Sequence, residues 1–212
     1  MCGITGFISN NHLNKNSMQS IIENMTATLN HRGPDDTGFW YDLESQIAFG
    51  HKRLSILDLS RAGHQPMVSS NEKFIIVFNG EIYNHLSLRK EMNHNWLSGS
   101  DTETLLRGFD LWGIEDTIKK CTGMFAFAVW CRKNKKLILG RDRLGEKPLY
   151  YGWVNNKFVF ASELKSIRLF PEFTNPISKE ALVNYLHLNY VPAPYSIYED
   201  IYKLNPGSYL SL

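Results

Sequence analysis

Apolar residues fall along this chain in short, mostly β-like bursts. The segments Cys2 to Ser9, Thr37 to Tyr41, Gln46 to His51, Phe74 to Asn79, Met124 to Cys131, Lys136 to Arg141, Leu149 to Trp153 and Phe158 to Ala161 are rich in Ile, Val, Phe and Tyr, residues that pack well on a pleated surface. Each reads as a strand. Asn155-Asn156 separates the last two as turn residues do. Many of the segments are joined by links too short for a helical crossover, so the pattern predicts antiparallel pairing.

In three places the period changes to that of a helix. Ser17 stands where a cap is expected before Met18, Ile21, Ile22, Met25 and Leu29, a stripe suited to packing on a core. A second helix reads from Thr102 to Trp112, with Leu105, Leu106, Phe109 and Trp112 on one face. The third starts at Ser178, where Ile177 and Leu182 have the spacing of a hydrophobic staple. Together these elements predict an α+β protein whose sheet faces are covered by helices. Pro192 to Pro194 and Pro206-Gly207 break up the C-terminal stretch. Residues 1–190 therefore read as one domain and 191–212 as an exit segment.

A chain of 212 residues, 43% hydrophobic and 13% aromatic, is long enough to bury a core. Its 23 basic and 21 acidic side chains nearly balance, without a dense Lys/Arg run, so neither nucleic acid nor an anionic membrane is an expected partner. The longest apolar run, Met124 to Cys131, has eight residues, far short of the roughly 20 that span a bilayer. The opening lacks the basic and apolar regions of a secretory signal, and a cytoplasmic location is expected. Three widely spaced cysteines indicate neither a disulfide framework nor a Cys-x-x-Cys site, and Cys121 and Cys131 read as small buried hydrophobes. The seven histidines lack ligand spacing, so no metal is expected.

Cys2 is the sharpest candidate for chemistry. A small second residue favours removal of Met1, which leaves a free α-amine in the same residue as the thiol. Such an amine titrates near ~7.7 to 8.0, and it can take the thiol proton and later deliver one to a leaving amine. Position alone does not separate this from an ordinary cysteine.

The run Met-Cys-Gly-Ile-Thr-Gly-Phe-Ile is followed by His31-Arg32-Gly33-Pro34-Asp35, Arg53-Leu54-Ser55-Ile56-Leu57-Asp58, Asn79-Gly80-Glu81-Ile82-Tyr83-Asn84 and Ser100-Asp101-Thr102-Glu103. In that order and spacing they resemble the class II glutamine amidotransferase domain of asparagine synthetases. Gly123 to Ala128, Gly140 to Tyr151 and Ala161 to Lys165 extend the resemblance over essentially the whole chain. It implies a four-layer sandwich of two antiparallel sheets flanked by helices, the N-terminal nucleophile hydrolase type. It also implies hydrolysis of L-glutamine to glutamate and ammonia through a Cys2 thioester.

On this resemblance the Asn79 side-chain amide and the Gly80 backbone N–H form the oxyanion hole. Arg53 holds the substrate carboxylate, the backbone of Arg53, Leu54, Ser55, Ile56 and Leu57 lines the pocket, and Glu81 and Asp101 receive the ammonium. Plain alternatives stand beside each role. Asn79-Gly80 also reads as a hairpin turn, Arg53 as a surface-paired side chain, and Asp101 as a helix N-cap that could bind and cap at once. His31 to Asp35 carries no catalytic assignment. The charged loop Gly140 to Tyr151, with Arg141, Asp142, Arg143, Glu146 and Lys147, reads as an internal salt-bridge network rather than a face toward a partner.

The glutaminase half-reaction needs no cofactor. The resemblance places ATP and Mg in a C-terminal synthetase domain, in the same or a separate chain, whose Ser-Gly-Gly-x-Asp-Ser phosphate loop is absent here. Ser98-Gly99-Ser100-Asp101 lacks the second Gly and the preceding strand. A homodimer is left open. Sugar-phosphate, purine and glutamate branches of the family carry Arg-Trp-Ala-Thr or Arg-Tyr-Ser-Thr where this chain has Arg53-Leu54-Ser55-Ile56, which favours asparagine synthetase or a related amidotransferase of secondary or polysaccharide metabolism. A non-catalytic regulatory domain is the remaining alternative, and it would be expected to have lost Cys2, Asn79 or Asp101.

Overall fold

A computed structural model describes all 212 residues. Strand β1 (Gly3–Ile8) is followed by α1 (Lys15–Ala27), β2 (Asp36–Asp42), β3 (Ile47–Arg53), β4 (Met67–Val68) and β5 (Phe74–Ile82). Next come α2 (His85–Lys90), α3 (Asp101–Leu111), α4 (Ile114–Lys120), β6 (Gly123–Cys131) and β7 (Lys136–Arg141). The chain ends with β8 (Tyr150–Val154), β9 (Lys157–Ala161), α5 (Leu164–Arg168), α6 (Lys179–Leu188), β10 (Ile201–Lys203) and β11 (Tyr209–Ser211).

The strands form two sheets, ordered β10-β8-β9-β1-β3-β2 and β11-β7-β6-β5-β4, and every pairing is antiparallel. Strand alternation explains the layers. In β5, Ile75 and Val77 pack between the sheets with Ile4, Phe49 and Phe160. Phe74, Ile76 and Phe78 point the other way, onto Leu105, Leu106 and Phe109 of α3. On the outer face of the first sheet, Phe7 and Val159 meet Met18, Ile22 and Met25 of α1 and Ile167 of α5. The result is the expected helix, sheet, sheet, helix sandwich. Cys121 and Cys131 are buried in the layer under α3.

All eight expected strands are present, while β4, β10 and β11, of two or three residues each, add to them. Three local expectations change. Helix α1 is capped by Asn14, not Ser17: the Asn14 side chain accepts from the Ser17 N–H at 2.9 Å. Helix α3 is capped by Ser100, whose hydroxyl accepts from the Thr102 N–H at 3.2 Å, so Asp101 is the first helical residue rather than the cap. Ser178 does cap α6, but Ile177 and Leu182 remain exposed and form no buried staple. Residues 191–212 place β10 along β8 and β11 along β7, one strand in each sheet.

Candidate active site

The same alternation gathers the candidate residues at one end of the sandwich. On β1, Ile4 faces the space between the sheets, and Cys2 shares its parity. On β3, Ile47 and Phe49 face inward, and so therefore does Arg53. On β5, Ile75 and Val77 are followed on their face by Asn79. Gly3 pairs with Lys52, so Cys2 and Arg53 lie one step beyond the last rung, where the sheets open. The cavity there has a volume of about 110 Å³ and is lined by Cys2, Arg53, Leu54, Ile56, Leu57, Asn79, Gly80, Glu81 and Asp101, with Met1 across it. Ser55 is the one expected pocket residue outside it. Its N–H donates to Asp35 at 2.8 Å, and it lines the neighbouring hollow of Asp36, Arg61 and His64.

Asn79-Gly80 is not a turn. Both residues sit inside β5, paired with Ala126 and Phe125 of β6; the continuous ladder overrides the local turn signal. Asn79 is 1% exposed, and its amide nitrogen has no hydrogen-bond partner in the fold. A donor left unmade in the interior costs about 1–3 kcal/mol, which is tolerated where an acceptor arrives with a ligand. Gly80 is required by its neighbour: a Cβ there would lie 2.6 Å from Phe125 Cα.

The Cys2 thiol lies between the backbone groups of Leu54, with its sulfur 3.4 Å from the N–H and 3.7 Å from the carbonyl oxygen. Burial raises its pKa, opposed by the Leu54 N–H and the nearby cationic charges. The thiol is thus protonated at neutral pH and needs a base before it can attack. Arg53, nearly buried, donates to the carbonyls of Ser60 and Asp58 and has no carboxylate partner. Its guanidinium packs over Gly63, where a side chain would displace it. Asp101 accepts from the Ile82 N–H at 2.8 Å, and burial, with the charge of Glu81, raises its carboxyl to about 6. A guanidinium with free N–H groups and a pair of carboxylates on one small cavity suit a zwitterionic amino acid.

A sequence model of the glutamine amidotransferase domain matches residues 1–212. The chain belongs to that family. Among curated relatives, the putative glutamine-hydrolysing asparagine synthetase 2 of Methanocaldococcus jannaschii is 40% identical over 222 residues, covering 96% of this chain and 42% of the relative. Glutamine-hydrolysing asparagine synthetase 1 of Bacillus subtilis is 37% identical over 216 residues, covering 100% of this chain and 33% of the relative. The chain therefore spans well under half the length of these relatives. Among solved structures, the glutamine phosphoribosylpyrophosphate amidotransferase of Bacillus subtilis in complex with ADP and GMP matches with a TM-score of 0.67 at 20% identity, over 80% of this chain and 43% of that one. At that identity the likeness is one of fold.

Several residues of this amidotransferase domain that hold the site in place carried no assignment in the sequence. Arg32 donates from Nε to the Cys2 carbonyl at 2.9 Å and from Nη1 to Glu163 at 2.8 Å. Burial pushes the Glu163 carboxyl up, but hydrogen bonds from Arg32, His31 and Lys165 outweigh it and hold it at about 2. The anchor is therefore charged at any physiological pH. Gln65 accepts from the Phe78 N–H and donates to the Thr102 hydroxyl, tying β5 to the start of α3. The loop after β7 is an internal network, but not of the salt bridges its charges suggested: its side chains bond backbone groups instead. Buried Asp142 accepts from the N–H groups of Phe125, Leu144, Glu146 and Lys147. Arg141 donates to the carbonyls of Gly145, Lys147 and Leu204.

Proposed function

We propose that this domain hydrolyses L-glutamine to glutamate and ammonia at Cys2, and that the ammonia serves an ATP-dependent synthetase of the asparagine type. The observation that carries the reading is the buried, unpartnered Asn79 amide on the same cavity as the Cys2 thiol. With Met1 removed, the Cys2 α-amine accepts the thiol proton as sulfur attacks the side-chain amide carbon. The carbonyl oxygen becomes an oxyanion that takes hydrogen bonds from Asn79 and the Gly80 N–H. Collapse breaks the C–N bond, the amine returns its proton to the departing nitrogen, and ammonia leaves. Water then attacks the thioester, losing a proton to the same amine, and a second collapse frees glutamate and the thiol. Arg53 holds the substrate carboxylate; Asp101 and Glu81 hold its ammonium.

No residue here is assigned to ATP or Mg²⁺, which this reading places in the partner domain. Support for such a partner comes from α6, where only Ala181 is buried while Leu182, Val183, Tyr185, Leu186 and Leu188 face outward. An apolar patch of this kind commonly marks an interaction surface. The reading is tested with a diazoketone analogue of glutamine and peptide mass spectrometry. A single adduct on Cys2, in chains lacking Met1 and suppressed by glutamine, is expected. Labelling elsewhere, or full activity in chains that retain Met1, would overturn it.

A further inference from the structure

Strand β5 loses its outer neighbour before it reaches the cavity. Strand β4 pairs only with Ile75 and Ile76, so from Phe78 onward the edge of β5 that faces away from β6 has no strand beside it. Single side chains close that edge instead. Gln65 accepts from the Phe78 N–H at 2.6 Å, and Asp101 accepts from the Ile82 N–H at 2.8 Å. Between them lies Gly80, whose partner Phe125 uses both of its own backbone groups on Asp142. The Gly80 N–H therefore faces the open edge rather than β6.

On the same edge the Phe78 carbonyl is met by His51. This residue belongs to β3 in the other sheet, on the inward face between Phe49 and Arg53, and is 1% exposed. Its Nε2 lies 3.1 Å from the Phe78 oxygen. A carbonyl only accepts, so Nε2 carries the hydrogen and donates it. Burial pushes the imidazole down to about 4, and at neutral pH the donor is an uncharged ring that needs no counter-ion. Ile47 and Phe49 fill the neighbouring inward positions of β3 with apolar side chains, so packing alone does not call for an imidazole here.

We infer that His51 is a positioning residue for the oxyanion hole: by holding the Phe78 carbonyl it fixes the peptide plane that leads into Asn79, so that the Asn79 amide and the Gly80 N–H meet the same oxygen in the cavity. A longer β4 could not serve in its place. A continued strand would hold Phe78 but would also draw the Gly80 N–H into its ladder, whereas His51 and Gln65 hold the two backbone groups of Phe78 and leave the next donor on that edge to a ligand. The Asn79 amide nitrogen has no partner in the fold, so its aim depends on the backbone that carries it. A misplacement of about 1 Å at such a group can cost about 10²-fold in rate. This role rests on the glutaminase reading.

The test compares the wild-type chain, His51→Leu, His51→Gln, Asn79→Ala and the His51→Leu/Asn79→Ala double variant, all lacking Met1. Leucine fills the position without a donor, while glutamine returns an N–H at about the reach of Nε2. In His51→Leu, kcat for glutamine should fall on the order of 10- to 100-fold with KM little changed, and His51→Gln should regain most of it. On the Asn79→Ala background the same leucine should cost markedly less, because one of the two donors it misaligns is already gone. A rise in KM alone, no recovery in His51→Gln, or an equal loss on both backgrounds would overturn the inference. Should leucine unfold the domain, His51→Asn, whose shorter amide does not reach the Phe78 oxygen, takes its place. Hydrogen exchange at the Phe78 and Asn79 N–H groups, read by mass spectrometry without turnover, should speed up in His51→Leu; unchanged exchange also overturns the inference. A wild-type chain that hydrolyses no glutamine counts against the glutaminase reading, while the exchange at Phe78 and Asn79 still decides for His51.

Discussion

Replacing Asp101 with Asn removes a charge that the fold holds against its own preference. The carboxyl titrates at about 6 in the folded protein, against an ordinary value of 3.8, chiefly because it is buried. The folded state therefore binds this proton more tightly than the unfolded chain does. Asp101 favours folding most at low pH, and the contribution is lost as pH rises through 6. Above that, the ionised group weighs against the fold by about 3 kcal/mol. Asparagine keeps the shape and an oxygen for the Ile82 N–H but carries no charge. The net gain at pH 7.5 should therefore be about 3 kcal/mol, or a Tm higher by roughly 6–12 °C for a domain of this size. Thermal unfolding of both proteins from pH 4 to 8 checks this. The gap should narrow as pH falls through 6 and be mostly gone near pH 4, while glutamine turnover is lost in the variant at every pH. A variant less stable than wild type at pH 7.5, or a gap that ignores pH, would refute the reasoning.

Two further substitutions separate chemistry from architecture. Asn79→Ala removes a donor that the fold itself does not use, so kcat should fall by roughly 10²- to 10³-fold with Tm nearly unchanged; a matching loss of Tm would show that the amide is structural. Asp142→Ala leaves four N–H groups without their acceptor and should cost about 3 kcal/mol or more, lowering Tm by at least ~6 °C. A small change in melting would mean that this loop is held by Arg141 alone.

What the sequence disclosed depended on how far each signal reached along the chain. The eight longer strands were legible because each carries several inward residues and sits against a filled core; β4, β10 and β11 are too short to show a period. The start of α1 was misplaced because Lys15 and Asn16 are polar and the apolar stripe begins only at Met18, so nothing drew the eye back to Asn14. Asn79-Gly80 carried a genuine local turn signal, overruled by pairing with a strand more than 40 residues away. Cys2, Arg53 and Asp101 came to light through motif resemblance, which periodicity alone could not have supplied. Arg32 and Gln65 act through contacts between distant segments, as when Arg32 reaches back to the Cys2 carbonyl, and no local pattern announces such contacts.

The two strands contributed by residues 201–203 and 209–211 do more than fill out the sheets. Each lies along what would otherwise be a bare outer strand, β8 in one sheet and β7 in the other. Unpaired strand borders carry rows of free N–H and C=O groups that recruit other chains. A version of the protein cut after residue 190 would keep every residue that lines the Cys2 cavity, yet it would leave an unpaired border on β8 and β7 and be prone to self-association. The stretch that resembles an exit from the domain thus covers both borders with strands of three residues, too short to offer a long template of their own.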